Sequence, residues 1–283
     1  MGIFPVPVEP SMEALPVASR IRQLYPEDLF PNGRYVQLPY GRMRYWILGP
    51  EEGTKVVLIH GISTPAITWK VLAPYLAEQG FRVLVYDLYG KGYSEAPLVT
   101  YDSTFFAVQL ALLLQYIRWP AANIVGFSMG GGVAAAFAAT LPHLVAGKLV
   151  LISSAGLIED LRAPNPSVRV PIPQYEELRD LQASELPGYK RSLQSCFVDG
   201  PIRGQEAAFD KLASLTVGPA QQRVQVLVVH GTDDEIVPVG EVDKIKARIP
   251  QAEILKVDGA QHDVVLNDAH WQRVAQELVR FLQ

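Results

Sequence analysis

The sequence predicts an α/β fold in which a mostly parallel central sheet carries helices on both faces. Short runs rich in Val, Leu and Ile recur along the chain, as expected for strands covered on both sides. Helix-length stretches separate most of these runs, and such alternation is typical of a parallel sheet. A third observation is the segment 158–220, which lacks a strand pattern and predicts an insertion into this architecture.

The elements follow in order along the chain. Residues 1–34 are rich in proline and predict an irregular arm, and residues 35–49 predict a hairpin with its turn at Tyr40-Gly41-Arg42. The predicted strands after the hairpin are KVVLIH (55–60), FRVLVYD (81–87), NIVGF (123–127), KLVLIS (148–153), VQVLVVH (224–230) and AEILKVD (252–258).

Helices are predicted at 104–118, at the alanine-rich stretch 129–140 and at 268–282. Asn267 is the predicted N-cap of the last helix. One face of that helix carries its apolar side chains, Trp271, Val274, Ala275, Leu278, Val279 and Leu282.

The prolines and short helical pieces of residues 158–220 predict a small helical cap over the carboxyl edge of the sheet. The chain then divides into the arm 1–34, a core made of 35–157 and 221–283, and the cap. Helical pieces are expected near 174–186, 188–197 and 205–214. Apolar cap side chains either roof a substrate pocket or simply pack on the sheet and on each other: Tyr175, Leu178, Tyr189, Phe197, Phe209 and Leu212.

Composition excludes several function classes. The formal net charge is −4 and no run of Lys or Arg occurs, which argues against a nucleic-acid partner. Cys196 is the only cysteine, so an intramolecular disulfide and a thiolate metal cluster are excluded. No apolar run approaches the roughly 20 residues of a membrane span. No secretory signal is apparent, and we expect a cytoplasmic location. The oligomeric state stays open.

Ser128 stands out because two glycines flank it at a distance of two residues, in Gly126-Phe127-Ser128-Met129-Gly130. A predicted strand precedes this serine and a predicted helix follows it. A serine on a sharp strand-to-helix turn has an exposed hydroxyl, which favours a nucleophile over an ordinary turn serine.

A serine nucleophile needs a base, and the base needs an orienting acid. Of five histidines, only His262 lies in a loop directly after a late strand, and such loops gather where Ser128 is expected. His60 and His230 end their strands, so we expect them to pack or hydrogen-bond there. The acid should follow an earlier strand, where Asp233 and Asp234 are adjacent and position alone does not separate them.

Residues 35–283 resemble the α/β-hydrolase superfamily, whose triad follows the chain order Ser, Asp, His. The resemblance implies an α/β-hydrolase fold, and the family pattern places the acid four residues before Pro238, at Asp234. Serine at position 128 implies acyl transfer. The motifs that carry the resemblance are HGISTPAITW (60–69), DLYGKGYS (87–94), GFSMGG (126–131), HGTDDEIVP (230–238) and GAQH (259–262).

The same resemblance implies an oxyanion hole made by the backbone N–H groups of Met129 and Ile62. Ser63 is a candidate polar neighbour of the acyl oxygen, and Trp69 and Phe127 are candidate pocket residues. We interpret DLYGKGYS as a structural turn, with Asp87 at the end of its strand.

No cofactor or metal is expected. GFSMGGG does not match the dinucleotide pattern Gly-x-Gly-x-x-Gly, and the next strand ends in Ser153-Ser154 rather than an acidic residue. Histidines and carboxylates lack metal-ligand spacing. The predicted function is a serine hydrolase that cleaves carboxylic esters of small or medium apolar compounds. The alternatives are a hydrolase of carbon–carbon bonds in a ketone-containing substrate, and a ligand receptor or interaction protein on a hydrolase scaffold.

Overall fold

The computed structural model describes residues 5–159, 173–218 and 221–283. Its strands are β1 Val8–Glu9, β2 Arg34–Leu38, β3 Gly41–Leu48, β4 Lys55–Ile59, β5 Arg82–Tyr86, β6 Ala96–Pro97, β7 Ala122–Phe127, β8 Val145–Ile152, β9 Thr216–Val217, β10 Gln222–Arg223, β11 Gln225–Gly231 and β12 Glu253–Val257. The helices are α1 Arg20–Leu24, α2 Leu72–Glu78, α3 Ser103–Tyr116, α4 Met129–Thr140, α5 Pro173–Glu185, α6 Tyr189–Val198, α7 Glu206–Leu212, α8 Gly240–Arg248 and α9 Trp271–Leu282.

The central sheet has eight strands in the order β12-β11-β8-β7-β4-β5-β3-β2. All neighbours from β5 to β12 pair in parallel, whereas β2 and β3 form an antiparallel hairpin that joins the sheet through β5. The predicted α/β fold with a mostly parallel sheet is therefore confirmed, as is the hairpin. The order brings the carboxyl ends of β4, β7 and β11 to one edge.

Helices cover both faces of this sheet. Alternate residues of each central strand point to opposite faces, so each strand contributes apolar side chains to the core on either side. In β4, Val57 and Ile59 join one apolar core, whereas Val56 and Leu58 join the other. The first core also contains buried residues of α3, α4 and α8, and the second contains those of α2 and α9. Burial on both faces explains why the central strands lack polar alternation.

The prediction that Asn267 caps the last helix was wrong. Helix α9 begins at Trp271, and His270 occupies its N-cap position. The side-chain oxygen of Asn267 accepts a hydrogen bond from the N–H of Ala269 at 3.0 Å, so Asn267 caps the turn that precedes the helix. A short turn and a helix start carry the same capping residues, and the sequence did not distinguish them.

Three helices, α5, α6 and α7, lie between β8 and β11, where the cap is predicted. Residues 160–172 of the predicted cap are outside the described residues. The division into arm, core and cap stays a prediction.

The amino-terminal arm contacts both the core and these helices. Strand β1 pairs with β6, and the guanidinium of Arg20 forms hydrogen bonds of 2.6 and 2.8 Å with both carboxylate oxygens of Glu177 on α5. No helix of the described ranges is long and apolar enough to cross a membrane.

Candidate active site

Ser128 occupies the turn that joins β7 to α4. Its φ of 56° and ψ of −123° lie outside the regions that side-chain-bearing residues prefer. Two hydrogen bonds hold this strained turn to the end of β8 and the residues that follow it. The Ser128 N–H donates to the Ile152 carbonyl at 2.9 Å, and the Ser128 carbonyl accepts from the Ala155 N–H at 3.0 Å. The hydroxyl group is thus carried on a fixed backbone.

The two flanking glycines are required by close backbone contacts. A Cβ atom on Gly126 would lie 2.1 Å from the carbonyl oxygen of Gly130, and one on Gly130 would lie 2.2 Å from that of Ile59. Helix α4 can therefore approach the end of β4 closely only because residue 130 lacks a side chain.

Ser128, His262 and Asp234 form one hydrogen-bonded chain. Nε2 of His262 lies 3.0 Å from Oγ of Ser128, and Nδ1 lies 2.8 Å from Oδ2 of Asp234. All three residues are buried. A carboxylate only accepts, so Nδ1 carries the imidazole proton and Nε2 accepts the hydroxyl proton of Ser128. The structure thus brings together three residues that the sequence places far apart.

Asp234 is held as an anion. Its Oδ1 accepts the N–H groups of Ile236 and Val237 at 2.9 and 2.8 Å, while Oδ2 faces His262. Burial alone raises the pKa of Asp234, but the charge and hydrogen bond of His262 and the Val237 amide together hold that pKa below its ordinary value. Asp233 is exposed and accepts a hydrogen bond from Thr232. Asp234 is thus the aspartate that contacts the histidine.

The other buried histidines hydrogen-bond near the ends of their strands, as predicted. Nε2 of His60 accepts the Leu88 N–H at 2.9 Å, and burial lowers the pKa of His60 to about 3. Nε2 of His230 donates to the Val237 carbonyl at 2.9 Å and lies 3.5 Å from Oδ2 of Asp234. Sequence reasoning missed this second contact, because nothing in the pattern shows which way a strand-end side chain points.

Two backbone N–H groups beside Ser128 are free to donate. Met129 is the first residue of α4, so its N–H has no intrahelical acceptor. The N–H of Ile62 has no acceptor among the described residues. A Cβ atom on Gly61 would lie 3.6 Å from Oγ of Ser128, which places the loop after β4 against the serine.

Of the predicted pocket residues, Phe127 contacts the site directly. Its ring centroid lies 5.0 Å from that of His262, and Trp69 packs edge-on against Phe127 at 6.2 Å. Trp69 is fully buried and belongs to the same apolar core as Phe127, so it packs Phe127 into the protein interior. Ser63 is half-buried in the loop after β4.

A sequence model of the α/β-hydrolase fold matches residues 54–223. The chain belongs to the α/β-hydrolase fold family. A 2-hydroxy-6-oxo-2,4-heptadienoate hydrolase from Pseudomonas putida is 28% identical over 249 residues, 79% of this chain and 85% of the relative. A bifunctional esterase/perhydrolase from Acinetobacter calcoaceticus is 23% identical over 261 residues, 83% of this chain and 94% of the relative.

Among solved structures, a meta-cleavage product hydrolase from Pseudomonas fluorescens superposes with a TM-score of 0.71. The two sequences are 22% identical, and the superposed region covers 88% of this chain and 96% of the Pseudomonas fluorescens chain. At this identity the likeness shows the fold alone. The relatives therefore agree on the α/β-hydrolase architecture and differ in the reactions for which they are named.

In this α/β hydrolase, the loop 87–94 supports the site as a structural turn. The carboxylate of Asp87 accepts the N–H of Ala66 at 2.8 Å, the N–H of Tyr93 at 2.8 Å and the hydroxyl of Tyr25 at 2.9 Å. Burial raises the pKa of Asp87 to about 6, and those hydrogen bonds oppose the rise. Asp87 thus anchors the carboxyl end of the loop that contains Ile62.

The apolar side chains named in the predicted cap mostly pack into the hydrolase cores. Phe209 and Leu212 belong to the core on the α4 side, and Tyr175, Leu178 and Tyr189 belong to the other core. Phe197 is only partly buried. Across the described part of the chain, no three His, Cys, Asp or Glu side chains are grouped as a metal site.

Proposed function

We propose that this α/β hydrolase is a serine hydrolase that cleaves carboxylic esters of small or medium apolar compounds. One observation carries the proposal: the continuous hydrogen-bond chain from Asp234 through His262 to Ser128, with distances of 2.8 and 3.0 Å. This is the arrangement that an acyl-transfer nucleophile requires.

In the first step, Oγ of Ser128 attacks the ester carbonyl carbon and its proton passes to Nε2 of His262. The carbonyl oxygen becomes an oxyanion, which accepts hydrogen bonds from the N–H groups of Met129 and Ile62. Each such donor contributes about 3 kcal/mol in comparable sites. The carbon–oxygen bond to the alcohol then breaks, and the leaving oxygen takes the proton from Nε2.

In the second step, water gives a proton to Nε2 of His262 and attacks the acyl carbon. The bond to Oγ breaks, Ser128 regains its proton from Nε2, and the carboxylic acid is released. Asp234 stays ionised throughout, because its pKa lies below the ordinary value. Its charge stabilises the imidazolium that forms twice per turnover.

The residues around the serine support an apolar acyl group. Phe127 lies against His262, Trp69 lies behind Phe127, and the side chains of Ile62 and Met129 are also apolar. Ser63 is the proposed polar neighbour of the acyl oxygen.

A p-nitrophenyl ester series of increasing acyl length tests the proposal and identifies the preferred chain. Labelling by a fluorophosphonate probe should occur in the wild type and be lost in Ser128→Ala. Hydrolysis of the esters with labelling at Ser128 supports an esterase. Absence of labelling in the wild type would favour the alternative of a ligand receptor or interaction protein.

A second candidate is a hydrolase of carbon–carbon bonds next to a ketone. The heptadienoate hydrolase from Pseudomonas putida, 28% identical over 79% of this chain, favours it. Turnover of a vinylogous diketone, with p-nitrophenyl esters cleaved more slowly, would select this reaction over ester hydrolysis. Both reactions use the same serine, so Ser128→Ala is the control for each.

A further inference from the structure

The carbonyl oxygen of Ser63 accepts two hydrogen bonds from helices of the predicted cap. Nε2 of Gln182 on α5 donates at 3.2 Å, and the hydroxyl of Tyr189 on α6 donates at 3.0 Å. Both donors are fully buried, with exposed fractions of 0% and 1%. Ser63 directly follows Ile62, whose N–H is the second proposed oxyanion donor.

This loop depends on side chains for its position. Residues 62–64 belong to no helix or strand, and they make no backbone-to-backbone hydrogen bond with any residue that the structure describes. The Thr64 carbonyl has only a long bond of 3.4 Å, from the neighbouring Thr68 hydroxyl. Within the described ranges, the bonds from Gln182 and Tyr189 to the Ser63 carbonyl are therefore the main hydrogen bonds that hold these three residues in place.

The same two helices are tied to the loop 87–94. The side-chain oxygen of Gln182 accepts the Gly92 N–H at 3.0 Å, and the ammonium group of Lys91 donates to Oγ of Ser192 on α6 at 2.7 Å. Lys91 is fully buried, and its ammonium group lies 5.0 Å from the ring centroid of Tyr189. The Gln182 side chain thus bridges the loop 87–94 and the Ser63 carbonyl, because its oxygen bonds the former and its nitrogen bonds the latter.

The Ser63 carbonyl accepts more hydrogen bonds than its own satisfaction requires. One donor is enough to satisfy a carbonyl oxygen, yet on half-buried Ser63 two donors from two different helices converge on one oxygen. Asp87 holds the Ala66 N–H at the carboxyl end of the same loop. The Ile62 amide is therefore flanked by fixed points, and one of them is supplied by the predicted cap.

We infer that Gln182 and Tyr189 are positioning residues, which hold the Ile62 N–H toward the oxyanion through the Ser63 carbonyl. The inference rests on the proposed function for its catalytic consequence. The oxyanion site is then complete only while α5 and α6 are docked on the loop. Transition-state stabilisation is coupled to cap position, although neither residue touches the reacting atoms.

The first test measures the loop itself and needs no activity. Tyr189→Phe removes one donor and Gln182→Met removes the other, and each leaves an apolar side chain of similar size. Backbone ¹⁵N relaxation on protein labelled at isoleucine and serine gives order parameters for Ile62 and Ser63. We expect values near 0.85 in the wild type and a clear fall toward 0.6 in both variants.

Tyr89→Phe is the matched control, because the Tyr89 hydroxyl donates to a backbone carbonyl, that of Gly41, at 2.9 Å and is equally buried. It should leave the two order parameters unchanged. Unchanged values in both Tyr189→Phe and Gln182→Met would overturn the inference, whatever reaction the protein catalyses.

The second test separates positioning from substrate contact. In Tyr189→Phe, kcat for the best ester should fall about fivefold, equivalent to one ordinary hydrogen bond, while KM stays constant. A boronic acid, which forms a tetrahedral adduct on the serine, should bind more weakly by the same factor. A raised KM with unchanged kcat and unchanged boronate affinity would contradict the inference. A wild type that neither cleaves esters nor binds the boronate contradicts the proposed function instead, and the relaxation test still decides the role of the two side chains.

Discussion

His230 lies beside the same carboxylate oxygen of Asp234 that accepts the hydrogen bond of His262. Nε2 of His230 lies 3.5 Å from Oδ2 of Asp234, against 2.8 Å for Nδ1 of His262. The Nε2–H group of His230 also donates to the carbonyl of Val237, whose own N–H donates to Oδ1 of Asp234. The turn that carries the acid is therefore fixed by a side chain from the end of β11.

The first prediction concerns this histidine. His230→Leu leaves the buried Val237 carbonyl without its donor, which costs about 1–3 kcal/mol in the free energy of unfolding. Because Asp234 then loses a fixed neighbour, kcat should fall about tenfold. His230→Gln restores an N–H donor, so it should recover part of the lost stability and part of the lost kcat. Urea unfolding and ester kinetics measure these effects, with His143→Leu, at an exposed histidine, as the control. Equal behaviour of the Leu and Gln variants would argue against a donor role.

The second prediction separates the two adjacent aspartates. Ser128→Ala and His262→Ala should each lower kcat by about 10⁴-fold or more, and combining them should add little, because the residues act as a unit. Asp234→Asn should also be severe, since it removes the anion that orients His262. Asp233→Asn is the matched control, because its exposed side chain accepts a hydrogen bond from the neighbouring Thr232 and does not contact His262. Its kcat should stay within twofold of wild type, an effect below about 0.5 kcal/mol. Loss of activity in Asp233→Asn would contradict the assignment.

Much of the architecture was predictable because it depends on local patterns. Buried parallel strands are apolar on both faces, so β4, β7 and β11 were recognisable from their Val, Leu and Ile content. The strained turn at Ser128 was predictable because only glycine fits at 126 and 130. These features follow from sterics and hydropathy that act over a few residues.

The remaining features depend on contacts between distant segments. Tyr25 was predicted to lie in an irregular arm, yet its hydroxyl reaches both carboxylate oxygens of Asp87. In the sequence, Gln182 is an ordinary polar residue of a short predicted helix, and tertiary packing brings it to the carbonyl of Ser63. Neither hydrophobic periodicity nor a sequence motif indicates such pairings between distant residues.

The third prediction concerns Gly130. In Gly130→Ala the new Cβ atom would lie 2.2 Å from the Ile59 carbonyl and 2.7 Å from that of His60, so α4 must move away from β4. We expect a loss of at least about 2 kcal/mol in the free energy of unfolding. Activity should fall as well, because the same contact sets the distance between Ser128 and the loop of Ile62. Gly147→Ala is the control, since a Cβ atom there meets nothing within 4 Å. If both variants unfold at the same urea concentration, the steric argument is wrong.

The fourth prediction follows from the buried carboxyl group of Asp87. Its folded-state pKa of about 6 lies above the value of about 3.9 expected in the unfolded chain. Between these pH values the folded protein binds more protons than the unfolded chain. The contribution of Asp87 to stability is therefore greatest below about pH 4 and is lost as the pH rises through about 6.

His60 acts in the opposite direction over the same range. Burial lowers its pKa to about 3, so the folded state resists protonation and this histidine destabilises the protein as the pH falls below about 6.5. The stability of the wild type as a function of pH therefore contains the contributions of both Asp87 and His60. A comparison with Asp87→Asn, in which His60 is retained, isolates the carboxyl group.

We expect the wild type to be more stable than Asp87→Asn at all pH values. Ala66 and Tyr93 donate to different oxygens of the carboxylate, and because an amide NH₂ group cannot accept, one of the two N–H groups loses its acceptor in the variant. The gap should be largest below about pH 4. Between about pH 4.5 and pH 7.5 it should shrink by about 2 kcal/mol, because roughly one and a half pKa units of differential proton binding are lost over that range. Urea unfolding at a series of pH values measures it. A gap that is constant with pH would mean that folding does not raise the pKa of Asp87, and a gap that widens toward neutral pH would mean that its hydrogen bonds outweigh the effect of burial.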